Sequence, residues 1–330
     1  MAASVKPVPS RQPVDLRTCT RRELRDYFIN AWELQDTLFQ SLTTERALYL
    51  NPDPLRNPLI FYLGHPAAFY VNRLKLLGLL KKSIHPHFED LFAVGVDPET
   101  AEELHAVLKA VTWPAAAEVW AFRAACFEAT LEAIERLPIE LPITDDSPAW
   151  GLLMSIEHDR IHLETSSMLF RQLPAEMLRK PDAWQYAPTH GAAPPNEMLS
   201  VPGGAVRLGK DRNYPVYGWD NEYGSLTVEV APFRASKYLV TNGEYLAFMQ
   251  DNGYQERRYW DDESWTWREQ HNVTRPKFWA ADGDDFRYRT VFDEIALPWD
   301  WPVEVNHHEA MAYCRWQGAG ARLLTEAEWN

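Results

Sequence analysis

The stretch HDRIHLETSS, residues 158–167, places two histidines four apart in a segment otherwise built for a helix. At about 1.5 Å rise and about 100° per residue, His158 and His162 fall about 6 Å apart along the axis on one stripe, close enough to ligate one metal ion. Met154 and Ser155 stand one turn before them and Thr165 and Ser166 one turn after, small or soft side chains that leave room beside an ion. Glu164 lies roughly 200° around the helix from His162 and points elsewhere, so a third ligand has to come from another helix. His65 is the candidate, because it sits in the apolar run LIFYLGHPAAFYV, where an unpaired imidazole is costly. Two histidines at this spacing also occur as ordinary helix-surface residues, and a lone buried histidine is more often hydrogen-bonded than metallated. The combination of HxxxH with His65 is what favours a metal. Three neutral imidazoles leave up to three positions open on an octahedral ion and suit Zn, Cu, Fe or Ni alike.

The other histidines read differently. His85 and His87 flank Pro86 in an apparent loop and are expected to be structural or solvated, and His105 follows DPETAEEL on an expected surface helix. His307 and His308 are adjacent, so they point to opposite sides of any regular element. Asn72, seven residues after His65 and two turns along its stripe, is a candidate to bind an amino-acid substrate, with a plain helix-surface role as the competing reading.

Four long helices must position these residues. Thr20 and Glu23 form a capping box ahead of Leu24, Tyr27, Phe28, Ala31, Leu34, Leu38 and Leu42 on one face. Asn57-Pro58 opens a second helix, expected to bend at Pro66. A third runs from Pro114 and a fourth from Ser147-Pro148. Four such helices suggest a bundle, whose core is a usual place for metals held between facing helices. Near residue 185 the composition changes to short β-type runs, glycine turns and most of the 14 tryptophans. Two domains result: a bundle over 19–185 after a disordered tail at 1–18, and a second, α+β domain over 196–330 with little regular structure. The tryptophan-rich stretch 258–279 is read as packing for that irregular domain, because its interleaved acids disfavour a nucleic-acid stacking surface.

Composition bounds the partners. A formal charge of -14 without a basic stripe argues against nucleic acid and anionic membranes, and no stretch approaches about 18 uninterrupted apolar residues. Three cysteines, widely spaced and without CxxC, argue against a disulfide framework or a thiolate zinc site and fit a reducing cytoplasm.

Four ordered stretches, MLSVPGGAVRLGK, YGWDNEYG, VAPFRASKYLVTNGEYLAFMQDNGY and WPVEVNHHEAMAYCRWQGAGARLLTEAEW, resemble the motifs of the formylglycine-generating-enzyme (sulfatase-modifying factor, C-type-lectin-related) fold. A DinB-like bundle with HxxxHxE on its last helix, followed by this module, is similar to the iron-dependent sulfoxide synthases of thiohistidine biosynthesis. Within that group NPDPLRNPLIFYLGH, FAVGVDPET, LPITDDSPAW, IEHDRIHLETSS and PWDWPVEVN look most like the ovothiol-pathway 5-histidylcysteine sulfoxide synthases. The resemblance runs from about residue 20 to the last residue. It implies a mononuclear non-haem Fe(II) held by His65, His158 and His162, with O2 as co-substrate, joining cysteine to the imidazole carbon of histidine as a sulfoxide. Three open positions then serve a substrate thiolate, the substrate imidazole and O2. In relatives a tyrosine near the iron lies beyond the position matching Asn330, so no catalytic side chain is assigned, and a C-terminal remainder or methyltransferase domain is expected in a longer chain. Leu324 stands where the family usually has proline. Three other readings remain: an ergothioneine-pathway enzyme acting on trimethylhistidine, a DinB-type metal-dependent thiol transferase, and a non-catalytic metal-binding fragment.

Overall fold

The computed structural model describes residues 8–93, 111–182, 184–283 and 285–330. His105 and its expected helix lie outside the described residues, as does most of the FAVGVDPET motif. Two compact units result, one taking the chain up to Trp184 together with Asn213–Asp220, the other comprising Gln185–Arg212 and Asn221–Asn330. Residues 213–220, numerically inside the second domain, thus fold with the first.

The first unit is the expected bundle. Its long helices are α1 (Arg21–Phe39), α2 (Leu59–Leu76), α4 (Ala116–Arg136) and α5 (Pro148–Phe170), with a short α3 (Pro86–Leu91) after α2. Thr20 Oγ1 accepts the Glu23 N–H and Glu23 accepts the Thr20 N–H, closing the capping box at α1. Ser147 caps α5, with Pro148 in its first turn. Both α1 and α2 pack against α4 and α5, with Phe28 and Trp32 of α1 in ring contact with each other and with both Tyr70 and Phe127. Pro66 lies inside α2, yet the helix runs through it as one element. The missing proline N–H leaves the Tyr62 carbonyl without its helical partner, and the Gln35 amide of α1 donates to that oxygen at 3.4 Å. Arg123 of α4 donates to the neighbouring Leu63 carbonyl at 3.0 Å.

Two expectations are corrected. Residues 8–18 are held in place rather than forming a loose tail: Leu16 is buried, its N–H donates to the Pro215 carbonyl at 2.7 Å, and its carbonyl accepts the Ile143 N–H at 2.7 Å. Asn30 adds a side-chain bond to the Pro9 carbonyl, so one apolar anchor and a buried amide hold the segment down. His85 and His87 do not sit in a loop, because Pro86 occupies the first turn of α3 and His85 Nδ1 caps that helix by accepting the Phe88 N–H at 3.2 Å.

The second unit is an α+β domain of short pieces. Antiparallel pairs join β1 (Met198–Val201) to β4 (Phe233–Ser236) and β2 (Gly204–Leu208) to β3 (Leu226–Val230), and β5 (Trp279–Asp282), β6 (Asp285–Arg289) and β7 (Glu294–Ala296) form a three-stranded sheet. The helices α6 (Asn242–Gln250), α8 (His307–Gln317) and α9 (Glu326–Trp329) each begin at a capping box, and α7 (Asp262–Gln270) begins at an Asp261 cap. Aromatic residues substitute for long regular elements in its core: Tyr245, Phe248, Tyr254, Trp260 and Tyr313 cluster between α6 and α8, and Trp279 packs with Tyr288 and Leu297.

The bundle core also buries charge. Arg123, fully enclosed, bonds Asp36 and lies 4.3 Å from the Trp32 ring, while Asp159 receives the Tyr70 hydroxyl at 3.5 Å. Burial pushes the Asp159 carboxyl up to about 7, against the pull of Arg123. A folded-state value above the unfolded one means stability present in full at low pH and lost as pH rises through 7. Asp159→Asn, which imitates the protonated acid, should therefore gain on the wild type by about 2 kcal/mol between about pH 5.5 and pH 8.5 in urea unfolding of the metal-free protein. An unchanged difference across that range would contradict the buried-acid account.

Candidate metal centre

His65 arises from the middle of α2, and His158 and His162 from successive turns of α5. Because α2 packs directly on α5, the rings converge: His65 Nε2 lies 3.2 Å from His158 Nε2, and His162 Nε2 lies 3.1 Å from His158 Nε2. All three candidate ligand atoms fall within 4.8 Å of one another. Among the described residues no other three His, Cys, Asp or Glu side chains come together in this way. Metal–imidazole bonds of about 2.0–2.1 Å put neighbouring nitrogens about 3.0 Å apart at a right angle and about 3.4 Å apart at the tetrahedral angle. The two measured edges fall between these values, so the donor set fits one divalent ion.

Neighbouring groups aim each ring. His65 Nδ1 is 2.6 Å from the Phe92 carbonyl, which can only accept, so Nδ1 carries the proton and Nε2 presents its lone pair to the cluster. Phe61 stacks on the same ring at 4.9 Å. Phe69, one turn after His65, stacks on His158 at 3.8 Å and 13°, and the Arg73 guanidinium lies over the Phe69 ring, 5.4 Å from its centroid. His158 Nδ1 and His162 Nδ1 are buried without a hydrogen-bond partner among the described residues.

Electrostatics keep the set neutral. Burial lowers His158 to about 2, helped by the neighbouring His162 and His65 and by Arg73, and burial lowers His162 to about 3. Burial also lowers His65, against the hydrogen bond to Phe92. Imidazoles that resist protonation keep their lone pairs available to a metal well into the acid range.

The remaining candidates lie elsewhere. Asn72 donates its amide to the Glu89 carbonyl of α3 at 3.2 Å, and Glu164 is exposed. His308 bonds Ser264 at 2.9 Å and stacks on Trp267. Sequence reasoning missed the Phe92 carbonyl, a main-chain group with no residue signature. Phe69 was readable, since position i+4 from His65 faces the same stripe.

Comparison with known proteins follows the same division. Residues 27–166 match the DinB superfamily, and residues 184–330 match the sulfatase-modifying factor enzyme 1-like domain. The chain is thus a DinB-like helical region followed by a sulfatase-modifying-factor-like α+β domain. It is 36% identical to the hercynine oxygenase of Mycolicibacterium thermoresistibile over 293 residues, covering 84% of this chain and 59% of that protein. The hercynine oxygenase of Mycolicibacterium smegmatis is 30% identical over 289 residues, covering 86% of this chain and 62% of the relative. The formylglycine-generating enzyme of Bos taurus is 30% identical over 152 residues, 42% of this chain and 39% of the relative. The chain therefore spans about three fifths of the length of the hercynine oxygenases it matches.

The depressed imidazoles have a sign that can be measured. Unfolded chains take up protons on histidine near pH 6.5 while the folded bundle does not, so their contribution to stability is present above that value and lost as pH falls toward 3. Lowering the pH from about 6.5 to 5 should weaken the metal-free wild type by about 1–2 kcal/mol per imidazole relative to His158→Gln/His162→Gln. Parallel pH profiles for the two proteins would show that the rings protonate freely in the fold.

Proposed function

We propose that this chain carries the metal centre of an iron- and O2-dependent sulfoxide synthase, with Fe(II) held by His65, His158 and His162. The convergence of three neutral imidazoles from α2 and α5, His65 and His162 buried and His158 half-buried, is the observation that supports the reading. Bound iron would supply redox chemistry between a thiol and an imidazole carbon. In that reaction the thiol S–H and the imidazole C–H are replaced by a C–S bond, the sulfur gains one oxygen atom, and O2 accepts four electrons, its second atom leaving as water. The residues of this chain contribute direction: Phe92 fixes the protonated nitrogen of His65, and Phe69 covers one face of His158. A neutral ligand set leaves the ion its full charge, which favours an anionic thiolate.

The similarity to hercynine oxygenases supports trimethylhistidine, the ergothioneine-pathway substrate, over the histidine that the ovothiol-like motifs suggest. Cysteine is the simplest thiol partner to test. Protein loaded anaerobically with Fe(II) should consume O2 with trimethylhistidine plus cysteine and give a product that has gained one oxygen and lost two hydrogens relative to the summed substrates. Product from histidine alone would return the substrate to the ovothiol branch, and iron binding without O2 uptake would favour metal-dependent thiol transfer. His65→Ala, His158→Ala and His162→Ala should each abolish stoichiometric iron binding, whereas His308→Ala should retain it. Equal iron retention in all four variants would refute the ligand assignment.

A further inference from the structure

α3 is placed to dictate how the third histidine points. Phe92, the residue that closes α3, offers its carbonyl to His65 Nδ1 at 2.6 Å, and several contacts fix where that carbonyl stands. Asn72 of α2 donates to the Glu89 main-chain carbonyl at 3.2 Å. Lys75, also on α2, pairs with Glu89 Oε2 at 2.7 Å. Glu89 Oε1 in turn accepts the N–H groups of Ile84 and His85 at 2.6 and 2.9 Å, pinning the chain as it enters α3. At the other end Phe92 is fully buried against Gly64, the residue before His65, and a Cβ built on Gly64 would lie 2.6 Å from the Phe92 ring. That approach leaves no room for any side chain but hydrogen.

We infer that α3 is a clamp that sets the tautomer and direction of His65 through the Phe92 carbonyl, with Gly64, Asn72, Lys75 and Glu89 as positioning residues; the inference rests on the reading that the three histidines hold an ion. A neutral imidazole free in water prefers its proton on Nε2, the atom that must stay bare here. Moving the Phe92 carbonyl removes the one acceptor that holds the proton on Nδ1, so the ring loses both its orientation and its lone pair toward the cluster. Asn72, which the sequence offered as a substrate contact, takes a part in this clamp because its amide is engaged by α3.

The test reads the tautomer and the metal separately. In 15N-labelled, metal-free wild type the imidazole nitrogen shifts should place the His65 proton on Nδ1. Glu89→Gln and Lys75→Met should shift that signal toward the Nε2–H form and weaken Co(II) binding by about fivefold or more, with unchanged circular dichroism. Gly64→Ala should do more, by displacing Phe92. Gly151→Ala is the packing control, since its Cβ meets the tip of Leu77 at 2.9 Å, and it should leave tautomer and Co(II) affinity as in the wild type. If Gly64→Ala fails to fold, Glu89→Gln and Lys75→Met decide the matter. An unchanged tautomer in both overturns the clamp, whatever the metal does. A wild type that shows the Nδ1–H signal but binds no Co(II) removes the metal reading, while tautomer shifts in the variants would still uphold the positioning role.

Discussion

Gathering three uncharged imidazoles, two buried and one half-buried, with their ring nitrogens turned toward one another is the constraint around which the first unit is built. Each ring loses water, and none gains a carboxylate to justify a positive charge, so the desolvation that lowers their proton affinity is unopposed by an anion. Such an arrangement is unfavourable unless the rings are held by packing stronger than their repulsion, or by a shared cation. The bundle provides the packing: Phe61 against His65, Phe69 against His158, and the α2–α5 contact that brings the two helices together.

That contact depends in turn on how α2 tolerates Pro66. A proline in mid-helix removes one hydrogen bond and crowds the carbonyl four residues earlier. Here the carbonyls on that side are taken up from outside the helix, Tyr62 by Gln35 and Leu63 by Arg123, so α1 and α4 supply what α2 lacks and the helix carries His65 without a break. The same two helices enclose the Arg123–Asp36 pair. Positioning of His65 is therefore a property of all four helices, although only two of them carry the three clustered histidines.

Much of this was legible in the sequence for identifiable reasons. The long helices show 3.6-residue periodicity and explicit caps at Thr20 and Ser147, and HxxxH needs no tertiary information to place His158 beside His162. His65 stood out because an imidazole in an apolar run demands a partner. The second unit was readable through ordered motifs, since its strands of three to five residues carry no usable period. What escaped were interactions made by groups without sequence identity. The carbonyls of Phe92, Tyr62 and Pro215 look the same in every residue, and only tertiary structure says which donor reaches them. The order of residues 8–18 escaped for the same reason, as a proline-rich segment gains its partners only once Asn30 and Pro215 are in place.

Asp159 shows that proximity in sequence does not decide the charge of the ligand set. It adjoins His158, and a carboxylate joined to three imidazoles would neutralise part of an ion's charge and weaken its hold on an anionic thiolate. On the helix it is rotated about 100° from His158, and its carboxylate meets Tyr70 of α2 rather than the converging nitrogens. There Tyr70 donates to it, and the field of Arg123 acts on it while burial keeps it near half-protonated at neutral pH. The groups around Asp159 are the hydroxyl of Tyr70, five residues after His65 on α2, and the Arg123 guanidinium of α4, held by Trp32 and Asp36 of α1. The charge next to the three histidines thus depends on what packs around Asp159, and a substitution of Tyr70 or Arg123 would alter it without touching an imidazole.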